Sequence, residues 1–540
     1  MRLIIISLAA LFVSLMFVIG GNAYLLTYIG VRLGAEGIPP TQVGFVMVCY
    51  SIGFAIGSHW CTNLVAKVGH IRTFAALTAL TAMSSMSYPL LDSVYFWAAL
   101  RFVGGITAAG LYVIIESWFS AVATNNNRAT LFALYQVAAY SASSLAQLTV
   151  GYSEPNSDVP FTGAALVLLA AIIPLSLSRM QSPSIDPGPK MSLLALYRES
   201  PLGITCALIG GVLLGSYYSL MPLFGSLTNM SVREVSQTMT LSVLMALILA
   251  WPVGWICDRI QRSRVLLVVV LLCALLSSCV ALSVDQVFLL RLIISSLLLG
   301  LLSLIYSLAV ALTNDRIDSG ARVAASSALM LSYGIGSIIG PVAGSLLIDS
   351  FNPSAMFIGF SILLLGLAFY VRHRQNQMPP MPVAAQEQYV ASMPETQLSN
   401  EFDPRYEVEE ESNSIEDIFP DEWVEAWGSD AEAEDTAQSA APEPGAVSEE
   451  IEVGGEMIGM QVTDLSQLEE QTDTAEQDSP TQQSEESESD SAATPEAPEQ
   501  TPATDQTEAA PAAEAGSAPA EPEASDSTDD KPKPDTDPRP

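Results

Sequence analysis

Runs of mainly apolar residues, separated by short polar turns, follow one another from the start of the chain to about residue 371. A helix of about eighteen residues or more is long enough to cross the roughly 30 Å of hydrocarbon in a bilayer. With no water there, each run must satisfy its backbone hydrogen bonds internally, which a helix does. The pattern predicts twelve spans, over 4–29, 42–66, 73–91, 94–118, 128–150, 161–178, 201–224, 236–258, 265–284, 287–312, 322–348 and 354–371. A longer polar stretch, Arg179 to Ser200, parts the sixth from the seventh. The expected fold is an all-α polytopic membrane protein of two six-helix bundles, 1–178 and 201–374, joined by a linker over 179–200 and followed by a tail over 375–540. The opening run to Ile29, with Gly20-Gly21-Asn22-Ala23 beyond its apolar core, could be mistaken for a cleavable signal. Its loss would leave an odd number of helices, so it is read as a retained span.

Charge divides the chain at the same place. Up to Arg374 there are 18 Lys and Arg against 13 Asp and Glu, whereas Gln375 to Pro540 holds 4 against 44. The overall net charge of −35 is therefore a property of the tail and says nothing about the preference of a binding site. A nucleic-acid partner would need a basic patch, which this distribution argues against. The six cysteines have neither CxxC nor Cys/His spacing, so no metal or disulfide framework is expected.

Orientation follows from the cations. With a cytoplasmic N-terminus, the inside segments carry Arg2, Lys67, Arg72, Arg128, Arg179, Lys190, Arg198, Arg259, Arg262, Arg264, Arg316, Arg322, Arg372 and Arg374, and the outside loops only Arg32 and Arg233. This bias places both termini in the cytoplasm and, for a bacterial chain, the protein in the inner membrane. The halves also echo each other. The basic loop 67–72 has a counterpart 192 residues on in 258–264, and Arg101 has one in Arg291, 190 residues on. Two six-helix repeats related about an axis along the membrane normal would place a solute path between them, near the midplane.

On these residues the chain resembles the major facilitator superfamily. Gly254-Trp255-Ile256-Cys257-Asp258-Arg259 is similar to the start of that family's Gly-x-x-x-Asp-Arg signature. The first-half version keeps Lys67, Gly69 and Arg72 but has Thr62 and Ala66 at the glycine and aspartate positions, which leaves an acid to be supplied from elsewhere. Arg101-Phe102-Val103-Gly104-Gly105 resembles the fourth-helix Arg-x-x-x-Gly element, and 336–344, with Gly340 and Pro341, resembles the Gly-Pro element of the family's antiporters, displaced here to the eleventh helix. Glu116-Ser117-Trp118, Asn127-Arg128, Tyr135-Gln136, Tyr140 and Gln147 are similar to a little-characterised bacterial branch of permeases. The resemblance implies alternating-access carriage of a small organic solute, facilitative or proton-linked, by a monomeric transport unit without cofactor.

Candidate roles follow from depth and chemistry. Arg101 lies about 10 Å into its helix, where a charge is costly unless it faces a cavity or partner. It is a candidate for solute binding or coupling, as is the shallower Arg291, with an outward-snorkelling structural arginine as the competing reading for both. Asn22, Tyr24, Gln136, Tyr140, Gln147, Tyr217 and Tyr333 supply amides and phenols that can bind a polar solute or simply bond neighbouring helices. Gln136 and Tyr140, four residues apart on one face, form the strongest pair. Gating candidates are Lys67, Gly69, Arg72 and Arg128 with Glu116 as the acid, then Gly254, Asp258 and Arg259 in the second half, and Gly340 with Pro341 as a hinge.

The tail's apolar content is too low to offset the entropy of ordering it, so it is expected to be disordered. One island, 415–427, interleaves Ile415, Ile418, Phe419, Trp423, Val424 and Trp427 with acids and could dock on a cytoplasmic protein. That island motivates the alternative function, a transporter-derived sensor or scaffold. No HExxH, catalytic carboxylate pair or nucleophile–base arrangement suggests an enzyme.

Overall fold

The structure, a computed structural model, describes residues 2–123, 127–177, 191–377, 381–383, 386 and 389–390. The island at 415–427, the rest of the acidic tail beyond 390 and the first part of the linker, 179–190, lie outside the described residues. The described chain is helical throughout: α1 (Arg2–Ala35), α2 (Pro40–Val68), α3 (His70–Ser87), α4 (Val94–Val122), α5 (Arg128–Val150), α6 (Val159–Ala170), α7 (Ile172–Leu177), α8 (Leu193–Glu199), α9 (Pro201–Leu227), α10 (Val232–Cys257), α11 (Arg262–Leu282), α12 (Phe288–Asn314), α13 (Arg322–Ser350) and α14 (Ala355–Gln377).

With α6 and α7 counted as one broken rod and the short α8 set aside, these fall on the twelve predicted spans. Among the described residues ten rods are long and apolar enough to cross a membrane; α3 and α5 fall short. Both are rich in hydroxyls, and α5 also carries two glutamines; several of these groups bond inside the bundle. In α3, Thr78 donates to the Phe74 carbonyl at 2.8 Å and Ser85 to Phe161 at 2.8 Å. Local signals set the ends. Gly69, at φ +91°, is a left-handed position that separates α2 from α3, and Ser231 with Glu234 forms a reciprocal capping box that starts α10. The α8 helix lies within the stretch expected to be linker, started by the Ser192 hydroxyl accepting from the Ala195 N–H.

The internal repeat is visible atom by atom. Ser85 on α3 donates to the carbonyl of Phe161 on α6, and 192 residues on Ser277 on α11 donates to that of Phe357 on α14 at 2.9 Å. The two phenylalanines are then met edge-on by equivalent rings, Tyr28 of α1 at 5.1 Å and Phe224 of α9 at 4.9 Å. In a bilayer helices gain little hydrophobic drive to associate, so such hydroxyl–carbonyl bonds and close backbone contacts carry the packing. The closest contacts lie at α2 with α4 and α9 with α13. A Cβ built at Gly105 would stand 2.1 Å from the Tyr50 carbonyl oxygen, and one at Gly211 2.1 Å from that of Tyr333.

One end of the bundle carries both the start of α1 and the end of α14, together with the cation-rich turns at 69, 127, 258–261 and 315–321; it is termed the basic end. The other is termed the opposite end.

Candidate functional site

Contacts between the α1–α7 and α9–α14 halves gather in the terminal turns at the opposite end. A Cβ at Gly30 of α1 would meet Pro222 of α9 at 2.9 Å, and one at Gly44 of α2 would meet the Ser345 Cβ of α13 at 2.5 Å. Beside Gly44, Thr41 donates to Asp349 at 3.0 Å. The third seam joins α5 to α10, where Ser236 donates to the Gln147 carbonyl at 2.7 Å and Ser144 to that of Thr240 at 3.2 Å.

The solute candidates are spread over both halves and several of them tie helices together. Gln147 accepts from Thr27 and donates to the Ala23 carbonyl at 3.4 Å, which ties α5 to α1. Tyr217 is bonded to Ser242 at 3.0 Å and to the Ser295 carbonyl at 3.1 Å, inside the second half. Asn22 donates to the Val18 carbonyl of its own helix at 3.0 Å, and Tyr24 meets Ser153 at 2.6 Å near the opposite end. Arg291 donates to Thr228 at 3.3 Å, bridging the outer turns of α12 and α9. Buried Gln136 and Tyr140 share a face of α5, and Tyr333 of α13 meets Tyr306 of α12 edge-on at 5.2 Å.

Arg101 is buried, with its guanidinium carbon 4.3 Å from the centroid of the Tyr50 ring on α2. The Tyr88 phenol lies close by at the end of α3. A desolvated guanidinium over an aromatic face, with further polar groups around it, is held in a defined pose rather than snorkelling to the surface.

At the basic end, Glu116 is buried and accepts from the Tyr135 hydroxyl of α5 at 3.3 Å, whereas Lys67 and Arg72 are exposed. Arg128 is buried at the start of α5. In the second half no ion pair joins Asp258 to Arg259 among the described residues. Arg259 instead stacks its guanidinium over Trp255 at 3.9 Å and donates to the Trp255 carbonyl at 3.0 Å, while Asp258 accepts the backbone N–H of Tyr389 at 2.8 Å. The buried acid–base contact here is one that sequence reasoning missed: Arg262, at the start of α11, is ion-paired with Asp315, just past α12. Its signal was an acid directly after the long apolar run of α12. Gly340 lies against the Val212 carbonyl, and the Pro341 carbonyl faces Gly44 across the opposite-end seam.

Comparison with known proteins agrees with this geometry. The sequence matches the Major Facilitator Superfamily over residues 6–290 and 225–428, and the chain belongs to that family. It is 29% identical over 363 residues to the uncharacterized MFS-type transporter YcaD of Escherichia fergusonii, covering 66% of this chain and 93% of that one. An MFS-type transporter of Yersinia pseudotuberculosis is 30% identical over 352 residues, covering 64% and 89%. Among solved structures, the nucleoside transporter NupG superposes with TM-score 0.58 at 14% identity, over 68% of this chain and 98% of that one. A D-xylose-proton symporter superposes with TM-score 0.52 at 14% identity, over 68% and 96%. These likenesses are of fold. The protein is a multi-pass membrane transporter of a small solute, not an enzyme.

Proposed function

We propose that the protein carries a small, polar, uncharged organic solute by alternating access, with the basic end in the cytoplasm of a bacterial inner membrane. The observation that carries this reading is the asymmetry of the two ends. The halves are seamed together at the opposite end, whereas at the basic end Tyr389 sits on Gly254 of one half and Val390 packs on the apolar cluster of the other. In this reading the space between the halves opens towards the basic side, as in an inward-facing state. Gln136 and Tyr140 on α5, with Tyr333 on α13, are proposed to supply phenols and an amide for hydrogen bonds and ring faces for apolar parts of a solute. The deep charges are already engaged, Arg101 by Tyr50 and Glu116 by Tyr135, which supports an uncharged cargo. In this reading Arg101, held over the Tyr50 ring, is a positioning group beside the path, and Glu116 and Asp258 are gating groups.

The test is uptake by purified protein in proteoliposomes across a panel of nucleosides, sugars, amides and aromatic alcohols, with and without an imposed pH gradient. Saturable flux of a neutral solute is expected. Flux confined to charged solutes, or none for any member in protein shown to be folded, overturns the reading; stimulation by the gradient separates proton-linked from facilitative carriage.

A further inference from the structure

Two consecutive residues that follow α14 touch opposite halves of the carrier. Tyr389 is buried in the apolar cluster that contains the second half's core, its ring seated on Gly254 of α10, where a Cβ would come within 2.8 Å of the ring. Its backbone N–H is held by the Asp258 carboxylate at 2.8 Å. Val390, the next residue, packs against the first half's cluster of Leu11, Leu15, Trp118 and Phe119.

The phenol runs inward rather than along the surface. It faces Ser307, seven residues before the end of α12 and so roughly 10 Å inside the bundle, and lies within electrostatic reach of Tyr140 on α5. Burial pushes this phenol up from its ordinary value, so it sits there as a neutral group.

Alternating access requires α5 to approach α10 and α12 at this end when the opposite end opens. A ring seated on Gly254 of one half, with the next residue packed on the other, occupies the volume that this approach must close. Asp258, the acid of the Gly-x-x-x-Asp-Arg element, is meanwhile committed to the segment instead of to a latch between helices.

We propose that Tyr389 and Val390 form an intramolecular wedge, a ligand supplied by the chain itself, which occupies the basic-end mouth of the solute path and holds the carrier in its inward-facing state until it withdraws. The proposal rests on the alternating-access reading only for its consequence on flux; occupancy of the mouth can be read without any solute. Glycine at 254 is then a specificity position, because any side chain there takes the seat of the ring.

The experiment is the rate at which a membrane-impermeant maleimide modifies Ser307→Cys in full-length protein in nanodiscs, where both ends are accessible. Peptide mass spectrometry resolves position 307 from the six native cysteines. Adding Tyr389→Ala is expected to raise the rate about tenfold or more, as loss of a buried ring and its anchoring would shift the docked population by at least that factor. Tyr389→Phe, which keeps the ring, is expected to leave it slow. Gly254→Leu, which displaces the ring from the other side, is expected to raise it again. Equal rates with and without Tyr389→Ala, in protein that elutes as a folded monodisperse species, overturn the wedge, as does slow labelling in Gly254→Leu.

Discussion

The Arg262 guanidinium lies against the Asp315 carboxylate where α11 begins and α12 ends, both all but sealed from solvent. Arg262 also donates to the Ala311 carbonyl at 3.3 Å, so one cation ties the last turn of α12 to the first turn of α11. A buried pair of this kind is costly to break from one side, because the surviving charge is left without compensation. Arg262→Met or Asp315→Leu alone is therefore expected to destabilise the second half by about 3–5 kcal/mol. The double variant should lie closer to the parent than either single change. Thermal unfolding of the purified protein in detergent checks the order; a double variant no better than the worse single one would place the stabilisation elsewhere.

Gly104 and Gly105 are neighbours with opposite demands. A Cβ at Gly105 would stand 2.1 Å from the Tyr50 carbonyl oxygen and 2.8 Å from the Phe54 nitrogen, both backbone atoms that cannot step aside, while one at Gly104 would meet nothing. Gly105→Ala is expected to cost about 1–3 kcal/mol by forcing α4 away from α2. Gly104→Ala should stay within about 0.5 kcal/mol of the parent. Parallel melting curves of the two variants test this, and equal losses would mean that α2 and α4 are not in backbone contact.

How far these contacts were readable from the sequence depends on their range. All twelve rods were legible, because an apolar run in hydrocarbon has only one way to satisfy its backbone. Their ends were less so: the first run predicts a stop at 29, yet α1 continues to Ala35, and the second half-span predicted from 236 begins at Val232. Hydropathy ends where lipid ends, whereas helical hydrogen bonding continues into the headgroup region until a cap such as Ser231 interrupts it. The broken α6–α7 rod was read as continuous, and the turn at Ala171 has a partner only in the fold, the Ser14 hydroxyl donating to its carbonyl at 2.9 Å. The site was legible as a set of deep polar residues but not as the bonds they make. Nothing local marks Gln147 or Tyr217 as a packing group; only the partners Thr27 and Ser242, 120 and 25 residues away, show them tying helices together. Asp258 was legible only as a gating candidate beside Arg259; the group it accepts from, the Tyr389 N–H, is 131 residues further on.

Arg101 and Tyr50 supply the third prediction. The guanidinium needs its plane to lie over the ring, and a lysine at the same place keeps the charge but loses the stacked face and most of the fixed donors. For the solute that the uptake panel identifies, Arg101→Gln is expected to lower the initial rate by roughly tenfold or more, with Arg101→Lys in between. Insertion and monodispersity should be unchanged in both, since the α2–α4 contact is made by glycines and not by this side chain. A normal rate in Arg101→Gln would reduce the residue to a structural one.

The seam at the opposite end offers the last prediction, because it separates the two conformations by a single atom. Gly44 faces Ser345, and a Cβ there would stand 2.5 Å from the Ser345 Cβ and 2.9 Å from the carbonyl oxygen of Pro341. No rotamer relieves a Cβ, so the halves themselves must give. Gly44→Val is expected to part α2 from α13, lengthening the distance between spin labels at Thr41 and Asp349, which are hydrogen-bonded in the seamed state. If the halves rock as rigid bodies, labels at Lys67 and Arg259 on the basic end should approach each other in the same variant, and more fully once Tyr389→Ala removes the wedge. Lengthening at the opposite end with no change at the basic end, in the Gly44→Val and Tyr389→Ala double variant, would show that the seam yields locally and that the two ends are not coupled.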